Sequence, residues 1–308
     1  MRSRSFIPLL AVAALVCGLI VVSAQEPGDE VRGAFLSTRP KTTNPNATRR
    51  RRPPRKTSAG INVNASGNAM NANAGISHTA NANTRNYSNQ NGSTMNGPAQ
   101  ALGLGYTLFM RDSNGRSLRV EPGHEFHNGD RVRISLEPNV DGYLYVFHTE
   151  GSGSPEMIYP DARLDAGENW IEAHVPLEVP SSEETDERLR WFAFYGNAGT
   201  ERLYIVVTRE PLPGVPTGAE LVKLCAENKD KCPWRPLDRV WAQLQEATKT
   251  EVKVVTSKTF GQSQTEKEKV ATTRGLGLDQ TAPQPAVIRM NAATNATVLV
   301  TILDLVHK

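Results

Sequence analysis

Arg131-Val132-Arg133-Ile134-Ser135-Leu136-Glu137 followed by Asn139-Val140-Asp141-Gly142 and Gly142-Tyr143-Leu144-Tyr145-Val146-Phe147-His148 decides the fold class. The first run alternates polar and apolar residues with a period of two, which is the pattern of a strand with one wet and one buried face. The second run is apolar on both faces, as a central strand is, and the Asn-Val-Asp-Gly tetrad between them supplies turn chemistry. Outward from this hairpin the same texture continues. Tyr106, Leu108 and Met110 alternate with Thr107 and Arg111, Ser113-Asn114-Gly115-Arg116 reads as a turn, and Leu118–Glu121 returns. Further β runs are expected at Glu156–Tyr159, Trp170–Val179, Arg190–Tyr195, Glu201–Thr208 and Glu251–Thr256, and at the C-terminus over Ala286–Met290 and Thr297–Val306. Short strands punctuated by Gly, Pro and Asp predict a mainly β domain over 101–308, an antiparallel sandwich or partly open barrel, rather than a βαβ fold.

Two short helices interrupt this pattern. Thr217 is placed as an N-cap for a helix reaching about Ala226. Leu237, Val240, Trp241, Leu244 and Ala247 stand at helical spacing, which predicts a second helix from about Pro236 to Thr248. Their apolar stripe is expected to pack on the sheet. Lys258–Pro285 is polar and irregular, and is read as a mobile loop.

The N-terminal third has a different character. Arg2 and Arg4 precede an apolar run from Ile7 to Val22, and Val22-Ser23-Ala24 provides small residues before polar Gln25. The run falls short of the ~20 residues that span a bilayer comfortably. Residues 1–24 therefore read as a signal peptide cleaved near Ala24, with an uncleaved anchor as the alternative. Cys17 lacks the small residue before it and the polar chain after it that a lipidation site needs, so it reads as a plain apolar cysteine. Residues 25–100 are poor in apolar content and rich in Asn, Ala, Ser, Thr and Gly, a composition that predicts a disordered tether. The tether holds ten Lys/Arg against three Asp/Glu, whereas residues 101–308 hold 23 against 29. The basic character thus belongs to the tether. A nucleic-acid-binding domain would need it on a structured face.

Arg49, Arg50, Arg51, Arg52, Arg55 and Lys56, around Pro53-Pro54, form the densest charge cluster. One reading is a solvated, self-repelling linker; the other is contact with anionic lipid or cell wall, worth ~1 kcal/mol per basic residue near such a surface. Asn-x-Ser/Thr triplets at Asn46, Asn64, Asn86, Asn91 and Asn295 are of the kind that an Asn-rich composition produces by itself.

Without Cys17 the chain has two cysteines, Cys225 and Cys232. In an exported protein an even pair favours a disulfide, whose short loop would restrict the unfolded chain by about 2–3 kcal/mol. The rival is a zinc site, but no histidine stands near enough in sequence to complete four ligands.

Other candidate chemistry is thin. His124-Glu125-Phe126-His127 has its histidines three apart in a turn, unlike the helical HExxH of a zinc protease. His148 and His174 fall on strands. Gly151-Ser152-Gly153-Ser154-Pro155 lacks the GxSxG of a nucleophile elbow. Asp161, Asp165 and Glu168 miss the ligand spacing of an EF-hand. Glu183-Glu184-Thr185-Asp186-Glu187 reads as a solvated acidic loop. Tyr143, Tyr145, Trp191 and Phe194 read as core aromatics, with a sugar-binding platform as the alternative. No catalytic residue, cofactor or metal is assigned.

Phe126–Ile134 and Asp141–Phe147, with Met157-Ile158-Tyr159-Pro160-Asp161, Val175–Pro180 and Leu203–Val207 in that order, resemble the bacterial family called domain of unknown function 4384, over roughly 104–213. The resemblance implies an accessory or interaction module, because family members sit beside caspase-like peptidase or Ser/Thr kinase domains. It brings no catalytic residues. The expectation is an exported, non-enzymatic interaction or scaffold module of the cell envelope, periplasmic, cell-surface or secreted, with a protein partner and no nucleic acid. A ligand- or glycan-binding domain is the alternative, and hydrolysis is disfavoured.

Overall fold

The computed structural model describes residues 27–42, 100–151 and 153–308. The signal peptide expected over 1–24, most of the tether, its Arg49–Lys56 cluster and the triplets at Asn46, Asn64, Asn86 and Asn91 lie outside the described residues.

The strands are β1 (Gly103–Arg111), β2 (Ser117–Val120), β3 (Glu125–Phe126), β4 (Arg131–Pro138), β5 (Gly142–Glu150), β6 (Glu156–Tyr159), β7 (Trp170–Ile171), β8 (Leu177–Val179), β9 (Phe192–Ala193), β10 (Gly199–Thr208), β11 (Val252–Thr256), β12 (Val287–Asn291) and β13 (Val298–His307). The helices are α1 (Pro27–Leu36), α2 (Ala219–Glu227), α3 (Asp238–Ala247) and α4 (Glu266–Arg274). One sheet runs in the order β11-β12-β1-β4-β8, with β2 on β1 and β9 on β4. The other runs β3-β13-β10-β5-β6, with β7 on β5. Pairing is antiparallel except between β13 and β3. The strands form two separate sheets and no closed barrel, as expected of a sandwich.

Alternation along the strands builds the core between the sheets. Val132, Ile134 and Leu136 of β4 meet Leu144 and Val146 of β5 and Leu203, Ile205 and Val207 of β10. The opposite face of the second sheet carries Tyr143, Tyr145, Phe147, Tyr204 and Val206. There α2 and α3 cover it with Leu221, Val240 and Leu244. This is the packing expected of the helical stripe, except at Leu237, which precedes α3 and is 56% exposed.

The outer face of the first sheet departs from expectation. The β4 residues Arg133 and Glu137 are 6% and 3% exposed, not wet. Two segments cover that face. The first is residues 27–42, which the composition of 25–100 assigns to the tether. Val31 and Phe35, one helical turn apart, pack with Ile288 and Met290 of β12. Gly105 of β1 makes room for this cover, because a Cβ there would collide with Pro285 and press on Phe35. A two-residue apolar stripe vanishes in an average over a long Asn-rich stretch.

The second cover is the segment expected to be a mobile loop, 258–285. It contains α4, started by a capping box in which Thr265 and Glu268 satisfy each other's backbone N–H. It turns polar residues inward: Glu268 pairs with the fully buried Arg119, and Gln264 Nε2 donates to Glu178 Oε1 at 2.7 Å. There are therefore four α-helices among the described residues where two were expected. Smaller corrections follow local chemistry. Gly218, not Thr217, stands at the α2 N-cap. The run Trp170–Val179 splits into β7 and β8 around His174, whose φ is 58°. Of Arg190–Tyr195, only β9 is strand, and Glu187–Arg190 is a 3-10 turn capped by Asp186.

Candidate cleft between the sheet edges

The strands β6 and β8 are edges of different sheets, and the sandwich opens between them. A cleft of about 680 Å³ lies there. One wall is β6 with the turn to Leu164. The second is β8 with the chain through Phe192. The third comes from α2 and the segment to Trp234. The lining is mainly apolar and includes Ile158, Tyr159, Val179, Leu189, Trp191 and Trp234. Such a volume and lining suit a small ligand or the side chains of a bound segment. Leu189 is 43% exposed at its rim.

Each wall is held by interactions that can be traced to sequence. Trp191 is fixed by Arg133, whose guanidinium lies 4.1 Å from the ring centroid. Arg133 in turn donates to Glu178 Oε2 at 3.2 Å and to the Arg190 carbonyl at 2.9 Å. Burial pulls the Arg133 guanidinium below its ordinary pKa, and Glu178 opposes that shift. Trp234 is anchored where its carbonyl accepts from Met157 N–H at 2.7 Å, closing the free side of β6. The Cys225–Cys232 disulfide braces α2 against that segment, with Cα atoms 5.6 Å apart. Both thiols are consumed in the bond, which removes the zinc alternative.

Charges lining the cleft are largely committed. Arg163 Nη2 donates to Asp161 Oδ2 at 2.5 Å, and this bond lifts the Arg163 pKa above its usual value. Glu178 belongs to Arg133. Glu184 accepts from the Thr185 N–H at 2.8 Å. No histidine lines the cleft, and its two cysteines are the bonded pair. The lining therefore offers apolar surface and shape, with few polar groups left to fix a hydrophilic ligand.

The remaining sequence candidates are dispersed. Tyr143, Tyr145 and Phe194 are buried; Trp191 alone of the four aromatics reaches the cleft, half-buried. His124 touches the Phe126 ring edge-on, and His127 is exposed beside Asp130. His148 sits between Glu201 and Glu156. His174 is buried, with Nδ1 2.7 Å from Glu137 and Nε2 2.7 Å from the Thr38 hydroxyl. Among the described residues no three His, Cys, Asp or Glu side chains converge as a metal site would require. The acidic loop is solvated, as expected: Glu187 is 63% exposed and pairs with Arg111 at 3.0 Å, and Asp186 caps the turn that presents Leu189. Sequence reading missed Trp234 and Leu189. Trp234 follows Cys232-Pro233 directly, so a disulfide placing it was the available signal.

The segment from β3 to β10 is the part of the chain that a family model recognises. Residues 125–211 match the family model Domain of unknown function (DUF4384). The DUF4384 segment is shorter than the resemblance suggested, starting at β3 and leaving β1 and β2 outside. It supplies β6, β8 and the Leu189–Phe192 wall of the cleft. The third wall, from Leu221 to Trp234, lies beyond it. So do β11, β12 and β13, which complete the two sheets. No curated protein and no solved structure matches the chain. Among the described residues no helix is long and apolar enough to cross a membrane.

Proposed function

We propose that the chain is an exported, non-enzymatic binding module that holds an apolar segment of a protein partner in the cleft between β6 and β8. The observation that carries this reading is the cleft itself, apolar, open at its rim, and with Asp161 paired to Arg163 and Glu178 paired to Arg133. Prolines at 176 and 180 flank the three-residue β8 and leave little backbone edge to add a strand to. Recognition therefore falls to side-chain anchors inserted beside Trp191 and Trp234, the mode in which a few buried groups supply most of the affinity. Export is supported by the basic, apolar and small-residue order of 1–24, and by the disulfide, which persists in oxidising compartments.

The test is selection of random-sequence peptides against the intact chain, beside a panel of oligosaccharides. Peptides with aromatic or aliphatic anchors should be selected. Leu189→Asp at the exposed rim should weaken them at least ~10-fold, as a charge opposing an apolar contact does, without lowering the melting temperature. Selection of oligosaccharides and no peptide would replace this reading with a glycan-binding one.

A further inference from the structure

The sandwich has several strand edges. Among the described residues the edges of β8, β6, β2, β3, β7 and β9 are blunted, and the side of β13 that β3 leaves uncovered belongs to a strand with no exposed side chain. β8 lies between prolines. β6 is closed by the bond from Met157 N–H to the Trp234 carbonyl. β2 is covered by residues 262–264, with Arg119 N–H donating to the Gln262 carbonyl at 2.9 Å. β3, β7 and β9 have two residues each. Such devices protect natural sheets from pairing with other chains. β11 is neither covered nor interrupted in this way, and its one lysine, Lys253, is drawn to Glu30 at 3.6 Å. It is five residues long, contains no proline, and its backbone partner among the described residues is β12 alone.

The orientation of its backbone follows from two bonds at its ends. Ala292 N–H donates to the Glu251 carbonyl, and Ser257 N–H donates to the Ala286 carbonyl. In an antiparallel ladder the bonded residues alternate. Glu251, Lys253, Val255 and Ser257 therefore turn their backbone groups to β12, and Val252, Val254 and Thr256 turn theirs outward. Val254 is also 48% exposed, one of the few large apolar side chains left open.

That edge is self-complementary. We infer that β11 pairs antiparallel with β11 of a second copy of this chain, about a two-fold axis through Val254. In this register Val254 faces Val254 of the second copy, and Val252 faces its Thr256. Each of these pairs exchanges both backbone bonds, so every outward group of the strand is satisfied. Lys253 faces Val255 and Glu251 faces Ser257, so no like charges stand opposite each other. Lys253 also keeps Glu30 of α1 at 3.6 Å on the outer face. The two exposed valines bury each other, and the two first sheets become one continuous sheet, an isologous arrangement.

The experiment uses the full chain with Cys17→Ser, so that no other free thiol is present. Wild type should sediment as a dimer at tens of micromolar. Val254→Cys should yield a disulfide-linked dimer on a non-reducing gel, because bonded antiparallel pairs place Cα atoms about 5.5 Å apart, inside the disulfide range. Lys253→Cys, displaced from the axis, should give far less. Val254→Pro should give a folded monomer, since the N–H it removes points away from β12. A monomeric wild type, or equal crosslinking through positions 253 and 254, would overturn the inference.

Discussion

Arg39 and Glu137 form a two-pronged ion pair across 98 positions of sequence: Nε to Oε1 and Nη2 to Oε2, both at 2.7 Å. Their side chains are 1% and 5% exposed. Arg39 also donates to the carbonyls of Ala282 at 2.9 Å and Pro283 at 3.1 Å, so its fork is nearly filled. One residue from the N-terminal segment thus ties β4 to the 258–285 cover. Removing one partner leaves the other charged and buried, which costs about 3–5 kcal/mol. Arg39→Ala should lower the unfolding free energy in urea by about that amount. Arg32→Ala, whose partner Asp29 is half exposed, should cost under ~1 kcal/mol.

Asp279 gives the same cover a pH dependence. The Lys267 ammonium holds its carboxyl well below the usual range, helped by the hydroxyl and N–H of Thr281. A carboxyl depressed on folding stabilises the folded state above its unfolded pKa of about 3.9. That contribution is lost as pH falls through the folded value. The melting-temperature gap between wild type and Asp279→Asn should be full at pH 7 and shrink steadily below about pH 4. A gap constant down to pH 2 would rule this out.

The disulfide closes a loop of sequence separation 7. Cys225→Ser with Cys232→Ser should cost about 2–3 kcal/mol on the chain-entropy model. It should also loosen the third wall of the cleft. Non-reducing peptide mapping of the native protein should recover one linked peptide, and reduction should weaken selected peptides more than it shifts the melting temperature.

Export and the basic cluster are tested outside the folded part. N-terminal sequencing of exported material should begin near Gln25, whereas an intact Met1 on membranes would indicate an anchor. Replacing Arg49–Arg52 with Ser should reduce association with phosphatidylserine vesicles. The wild-type association should fall with salt as the Debye length drops from about 10 Å at 0.1 M to about 3 Å at 1 M. An unchanged association would leave the cluster a spacer.

The strands were legible because alternation is local: β6 appears with the expected bounds, and β4, β5, β10 and β13 within two residues. The outer cover of the first sheet was not legible, and beyond the short apolar stripe of α1 the reason lies in its polar contacts. It is held by polar groups whose partners are far away in sequence, Arg39 with Glu137, Arg119 with Glu268, and Arg133 with Glu178. A charged residue looks wet until its partner is found. The cleft was half legible. Tyr159-Pro160 and Trp191 stood in noted runs, but their convergence with Trp234 depends on how α2 packs over Tyr145 and Phe147.

The docking of residues 27–42 changes the topology of the chain. Arg39 is fixed on β4, and the Pro40 carbonyl accepts from Gln280 N–H at 3.0 Å. Gln100, at the far end, is held by Arg209, which donates to its carbonyl. Residues 43–99 therefore connect two points on the same body. A cut between residues 43 and 99 would not release the N-terminal piece, because α1 and Arg39 still grip the sheet. The two fragments should travel together on a sizing column and separate only when the protein is unfolded. A pull applied at the N-terminus would likewise reach the domain through α1 and Arg39, before it reached residues 43–99 and their arginines.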